Sequence, residues 1–249
     1  MKGITYMNKT VLITGASRGI GAAIAKTFAE AGYGLALCCR NSMDELEDLA
    51  QKLRTSYQVP IRIFQGNVGD ESFVSHMIEE TLKEFGHLDV LINNAGIAHI
   101  GLLADMTLED WNQIVTTNLT SAFLTCKYAT PSMITRKQGK IINISSVWGI
   151  CGASCEVAYS ACKGGLNTFT KALGKELAPS NIQVNAIACG VIDTQMNACF
   201  SAEEKAELAE EIPAGRFGTP EEVAHLALQL ATENSYLTSQ IITLDGGWI

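Results

Sequence analysis

Short runs of apolar and β-branched residues recur along the chain at 10–14, 35–39, 61–64, 90–93, 141–144, 184–188 and 241–244. They predict seven strands. Between them, apolar residues fall at helical spacing, as with Ile20, Ile24 and Phe28 after the first strand and Leu166, Phe169, Leu173 and Leu177 after the fifth. Alternating strand and helix predict βαβ units with right-handed crossovers. The expected fold is therefore α/β and doubly wound, a Rossmann-like seven-stranded parallel sheet with helices on both faces. No linker or shift in composition marks a second domain, so residues 1–249 read as one unit. The least regular stretch, 191–218, contains a charged helix-like segment at 201–211 and follows the carboxyl end of the sixth strand. That end of an open α/β sheet faces the ligand crevice, which makes 191–218 the expected substrate lid.

Composition narrows the class. With 47% hydrophobic and 18% charged residues, a chain of 249 can bury a sizeable core without staples. The formal net charge of −8 repels nucleic-acid phosphates and anionic membranes, so neither is an expected partner. The first ten residues lack a basic-then-apolar signal pattern, and no apolar run approaches the roughly 20 residues that span a bilayer. The expected location is the cytoplasm. Eight cysteines form no C-x-x-C pair and read as reduced packing residues. Four scattered histidines lack metal-ligand spacing, so no metal is expected.

Directly after the first strand stands Thr14-Gly15-Ala16-Ser17-Arg18-Gly19-Ile20-Gly21, followed by a helical pattern. This places a glycine-rich turn at a helix N-terminus, where free N–H groups and the helix dipole favour a phosphate. Gly15 permits the tight turn, Gly19 lets backbone approach a pyrophosphate, and Gly21 allows close helix packing. Alone, such a turn also serves purely structural ends. The end of the second strand sets the choice of dinucleotide, through an acid for a ribose hydroxyl or an arginine for a 2′-phosphate. Here stand Cys39 and Arg40. Arg40 and Arg18 together favour NADP(H), unless the nearby Asp44, Glu45 and Glu47 occupy Arg40 as a solvated loop charge.

Tyr159 and Lys163 lie four apart on an expected helix and share one face. A phenol with pKa about 10 is a poor acid or base near neutrality, and a neighbouring ammonium lowers that value. Tyr159 is thus expected to give a proton to a carbonyl oxygen as hydride arrives from a nicotinamide. Ser145 and Ser146 close the fifth strand, where a hydroxyl can bond the same oxygen as charge develops on it. A lone Y-x-x-x-K is a weak signal, because helices carry that spacing by chance.

The combination is specific. T-G-x-x-x-G-x-G at 14–21, Asn93-Asn94-Ala95-Gly96, Asn118, Ser146 and Tyr159-x-x-x-Lys163 occur in one order, followed by Pro213-Ala214-Gly215-Arg216-Phe217-Gly218 and Asp245-Gly246-Gly247. Over nearly its whole length the chain resembles the short-chain dehydrogenase/reductase family. The resemblance implies that Asn118 kinks a helix and holds a water in a proton relay through Lys163 and the cofactor ribose to Tyr159. It implies that Asn94, Ala95 and Gly96 line the adenosine side, with Asn67 and Val68 near the adenine. Ile192 and Thr194 are implied to meet the nicotinamide carboxamide and pyrophosphate. A homotetramer formed through two long helices, here 119–133 and 159–178, is also implied, with Ala161, Gly164 and Gly165 either allowing close approach there or packing inside the subunit. Two departures stand out: Asn67 replaces a common aspartate, and Cys189 replaces a proline and is expected to loosen the start of the lid.

Within the family, the 3-oxoacyl-acyl-carrier-protein reductases are similar over 213–223, which implies a ketone substrate, fatty acid biosynthesis and acyl carrier protein as partner. Residues 144–160 and the Gly247-Trp248 ending instead resemble reductases of the 5-aminopentanone group on elongation factor P. Carrier-protein docking wants basic residues beside the active site; Lys137 is available, but Ser180 stands where that branch often has arginine. Glu156, a helical turn before Tyr159, attracts an ammonium and does nothing for a neutral acyl chain. Its plainer reading is an acid complementing a helix dipole. A non-enzymatic NADPH-binding regulator on the same fold is the remote alternative, and it has no need of Asn118, Ser146, Tyr159 and Lys163 together.

Overall fold

The computed structural model describes residues 9–197, 200–233 and 235–249. Cys199, residues 198–199 of the expected lid and most of the first ten residues lie outside these. Seven parallel strands form one sheet: β1 (Thr10–Thr14), β2 (Gly34–Cys39), β3 (Ile61–Gln65), β4 (Val90–Asn93), β5 (Gly139–Ser146), β6 (Ile182–Cys189) and β7 (Ile241–Leu244). Their order is β3-β2-β1-β4-β5-β6-β7. The order reverses between β1 and β4, so a crevice opens outside the carboxyl ends of those two strands.

Nine helices cover the sheet: α1 (Gly19–Glu30), α2 (Met43–Tyr57), α3 (Glu71–Phe85), α4 (Leu108–Val115), α5 (Ser121–Arg136), α6 (Trp148–Cys151), α7 (Val157–Leu177), α8 (Ala202–Glu211) and α9 (Pro220–Thr232). Alternate strand residues feed two cores. Val11 and Ile13 pack with Ile24, Phe28, Leu46 and Val223 from α1, α2 and α9. Leu12 points the other way, into Val74, Met77, Leu124 and Met133 from α3 and α5. Burying a side chain such as Phe28 contributes about 2–3 kcal/mol, and this two-sided burial is why the strands read as continuous apolar runs.

Helix boundaries follow local chemistry. Asp70 caps α3 by accepting from Phe73 N at 2.9 Å, and Gly86, at φ +78°, ends it. Ser201 and Glu204 form a capping box that starts α8 inside the 191–218 stretch. A polar chain runs between the sheet and its helices. Asn93 Nδ2 donates to Asn143 Oδ1 at 2.9 Å, Thr125 Oγ1 donates to Asn93 Oδ1, and Asn143 Nδ2 donates to Thr170 Oγ1. Fully satisfied, such a network fixes how α5 and α7 sit on β4 and β5.

Three expectations about the surroundings of the site change. The backbone of Cys189 is held inside β6, opposite Ser146 on one side and Leu244 on the other, so the absence of proline does not loosen the lid's start. A side chain on Gly165 would crowd Leu119 at 3.1 Å, whereas one on Gly164 would meet the Gly149 carbonyl only at 3.4 Å, so packing within the subunit calls for glycine at 165. Lys137 follows α5 and precedes β5, at the amino end of the sheet. The length of β5, roughly 23 Å, separates it from Ser146, and it does not flank Tyr159 in the same subunit.

Candidate active site

The glycine turn occupies the crevice at the carboxyl end of β1. Gly15 and Gly19 adopt φ of +65° and +55°, which side chains other than glycine rarely take. A Cβ on Gly15 would press on Ala95 Cα, and one on Gly21 would collide with the Gly15 carbonyl, so α1 starts hard against the turn. Arg18, extended and exposed, precedes α1, whose first turn carries no acid to neutralise its positive pole. Gly19 faces Thr194 across the turn, at 3.4 Å from a Cβ position to Thr194 Cγ2. This cradle fits a phosphate group, and Ser17, Ile20 and Thr194 border it.

The β4 end locks the turn in place. Asn94 Nδ2 donates to the carbonyls of Thr14 and Gly15, both at 2.9 Å, while the amides of Asn94 and Ala95 donate to Thr14 Oγ1. The Asn94 side chain is therefore committed to the turn. A Cβ on Gly96 would meet Asn118 Oδ1 at 2.7 Å and Lys163 Nζ at 3.6 Å. Gly96 therefore borders Asn118 and Lys163.

A second cavity, of about 580 Å³, lies where the adenosine end is expected, lined by Arg40, Asn67, Thr116 and Thr117 and by Glu109 from α4. Arg40 is exposed, and among the described residues it forms no ion pair with Asp44, Glu45 or Glu47. Asn67 accepts from Gly69 N at 3.0 Å and shapes the loop after β3, while Val68 is buried.

The four remaining residues converge at the carboxyl ends of β4 and β5. Asn118 sits in a π-helical turn, Thr116–Thr120, inserted between α4 and α5. Its amide donates to Ile97 O and Ile114 O at 2.9 and 3.0 Å and accepts from Ile97 N, so the kink is pinned to the loop after β4. Lys163 is buried on α7 and donates to Ile144 O at 2.9 Å. Its Nζ lies 5.4 Å from the centre of the Tyr159 ring. Ser146 ends β5, and its hydroxyl is close enough to Tyr159 to favour the phenolate by hydrogen bonding.

Electrostatics differ from the simple expectation. Burial pushes the Tyr159 phenol up, and the nearby Cys189 and Glu156 push the same way. The same burial pulls the Lys163 amine down to about 8. Desolvation penalises both charged forms, and with its ammonium turned toward Ile144 O, Lys163 does not lower the phenol. Tyr159 in this state is a protonated donor.

Two aromatic residues were not singled out by sequence reasoning as parts of the site. Trp148 follows Ser146 by two residues, and its ring centre lies 4.9 Å from that of Trp248 at the chain's end. Asp245 holds that end by accepting from the amides of Gly247 and Ile249. Ser145 and Asn167 hold the Trp148 turn: Ser145 Oγ donates to Asn167 Oδ1, and Asn167 Nδ2 donates to Gly149 O. Glu156 precedes α7 without capping it, is partly buried within hydrogen-bonding reach of Trp148, and has its carboxyl pushed up by that burial. Gly101 N donates to Cys155 O, which brings the exposed Ile100 and Leu102 to the same rim.

Comparison with known proteins agrees with this geometry. The family described as "short chain dehydrogenase" matches residues 9–205. An uncharacterized oxidoreductase of Bacillus subtilis, YmfI, is 40% identical over 243 residues, covering 97% of this chain and 99% of that protein. The 3-oxoacyl-[acyl-carrier-protein] reductase FabG of Aquifex aeolicus is 41% identical over 245 residues, 98% of each chain. FabG of Staphylococcus aureus is 39% identical over 242 residues, 97% of this chain and 98% of its own.

Proposed function

Since the chain belongs to the short chain dehydrogenase family, and is an oxidoreductase acting on carbonyl or hydroxyl groups, we propose that it reduces a substrate ketone to an alcohol with NADPH. The convergence of Asn118, Ser146, Tyr159 and Lys163 at the crevice carries this reading. Bound there, the dinucleotide supplies the hydride. The turn at 15–21 would hold its pyrophosphate with Thr194, Arg18 and Arg40 would take the 2′-phosphate, Asn67 and Val68 would flank the adenine, and Ile192 would border the carboxamide.

Ser146 Oγ and Tyr159 hydrogen-bond the ketone oxygen, and Tyr159, kept protonated by burial, gives it the proton. Lys163, whose amine burial pulls down to about 8, would hold the cofactor ribose and, with a water on the Asn118 kink, would return the proton to Tyr159. Residues 191–218 close over the substrate. Among the described residues no helix is long and apolar enough to cross a membrane, and no group of three His, Cys, Asp or Glu gathers as for a metal.

The first substrate reading is a 3-oxoacyl chain on a carrier protein, supported by the FabG relatives and by the apolar rim of Ile100, Leu102 and Ile150. One observation favours the second, the 5-aminopentanone group of elongation factor P. Glu156 and the Trp148–Trp248 pair put a carboxylate and two indole faces at the substrate end, a combination that suits an ammonium. The test is NADPH oxidation by the purified protein with a 3-oxoacyl thioester and with elongation factor P carrying the aminopentanone. Preference for the thioester supports the first reading and preference for the modified factor the second. Turnover of neither, with cofactor still bound, sinks both in favour of a regulator.

A further inference from the structure

At the opposite end of the sheet, a cavity of about 210 Å³ opens among the residues that begin β1, β4, β5 and β6. Lys9 and Lys140 line it together with Gln138, Thr232 and Tyr33. Tyr33 is only 4% exposed, and its hydroxyl has no hydrogen-bond partner among the described residues. A buried hydroxyl without a partner costs stability, so its position on the wall of a polar cavity points to a ligand that accepts its proton. Asp89 also borders the cavity, but its charge is already answered: it accepts from Arg136 at 2.6 Å, from Thr10 N at 2.7 Å and lies 3.2 Å from His87 Nε2.

The two lysines are not answered in this way. Neither forms an ion pair among the described residues; Lys140 reaches only the Glu233 carbonyl, at 3.4 Å. Both lysines line the hollow, and burial and, next, the charge of Lys9 hold the Lys140 amine below its ordinary value. We propose that this cavity binds a small phosphate-class oxyanion, held by Lys9, Lys140 and the Tyr33 hydroxyl. A dianion matches two ammoniums better than a carboxylate does, and phosphate carries close to that charge near neutrality. The site is separate from the reaction: Lys140 and Ser146 stand at opposite ends of one strand, about 20 Å apart. The ligand ties the starts of four strands together and so acts on stability.

Titration calorimetry of the full chain with inorganic phosphate, against chloride at equal ionic strength, tests this. The wild type is expected to show two phosphate sites, one at the glycine turn and one here. Lys140→Met and Lys9→Met are each expected to lose about tenfold or more in affinity at the second alone. Equal phosphate binding by wild type and both variants overturns the proposal. Tyr33→Phe is the finer probe: it is expected to melt no lower than wild type without phosphate, since the hydroxyl bonds nothing, and to bind phosphate more weakly. A lower melting temperature without phosphate shows that the hydroxyl already has a partner, and the assignment then falls.

Discussion

The two ends of the sheet hold buried charge in opposite ways. At the amino end, Asp89 is surrounded by donors: Arg136, His87 and the Thr10 amide all reach its carboxylate. At the carboxyl end, Lys163 is as deeply buried but touches no carboxylate, and a single carbonyl, Ile144 O, accepts from it. A buried charge is tolerated when hydrogen bonds answer it, as at Asp89. The Lys163 ammonium is instead left with unused donors and a pKa drawn down to about 8. Such under-pairing costs stability and marks a group kept free for a ligand or a proton.

The sharpest way to break this contrast is to remove one working atom from the carboxyl end. Tyr159→Phe is expected to lower ketone reduction by at least about 10²–10⁴-fold, the contribution of a general acid, while NADPH binding measured by fluorescence stays near wild type. Normal turnover by this variant sinks the proton-donor role. The converse change belongs at the amino end. Asp89→Ala leaves Arg136 and His87 facing a void and is expected to cost about 3–5 kcal/mol in urea unfolding, with little change in kcat. Stability that drops by less than about 1 kcal/mol shows the cluster to be an exposed-type pair of small worth.

Much of this contrast was legible in sequence because it follows strand ends. β1, β4 and β7 match the runs at 10–14, 90–93 and 241–244 to the residue, since each is apolar or β-branched except for the closing Asn93. β5 and β6 run further than their apolar centres because Lys140, Ser145, Ser146 and Gln183 sit in mid-sheet, where ladder bonds rather than apolarity hold them. The placement of Ser146, Tyr159 and Lys163 at one point was readable from helix spacing and strand direction. The kink at Asn118 came from the family resemblance alone, because a shifted hydrogen-bond register leaves no trace in residue type, and its π-helical form was not legible. Nor was the Trp148–Trp248 contact, which joins segments that only the fold brings together. The direction of the Tyr159 shift was misread for a related reason: spacing reports that Lys163 is near, whereas burial and the turn of its ammonium toward Ile144 decide the sign.

Cofactor choice gives an intermediate effect. Arg40→Ala is expected to weaken NADPH by about tenfold to a hundredfold, the worth of a charge-assisted contact, and to leave NADH within about twofold. Equal losses for the two dinucleotides show that Arg40 does not read the 2′-phosphate.

The smallest expected effect tests whether the substrate rim belongs with the under-paired carboxyl end. Burial holds the Glu156 carboxyl above its ordinary value, so the folded state prefers this group protonated. Its charge therefore weighs against folding at every pH above the unfolded value of 4.5, and that burden disappears as pH falls below it. Glu156→Gln removes the charge and is expected to raise the melting temperature slightly at pH 7, with no gain at acid pH. If the charge serves an ammonium, the same variant raises KM for an amine-bearing ketone by about tenfold or less, while a neutral 3-oxoacyl thioester keeps its KM. With wild type, KM for the amine-bearing ketone should climb on acidification at a higher pH than an exposed glutamate allows. A Gln variant that gains stability yet leaves both KM values unchanged makes Glu156 an acid beside a helix start and nothing more, and removes the main physical support for the aminopentanone reading.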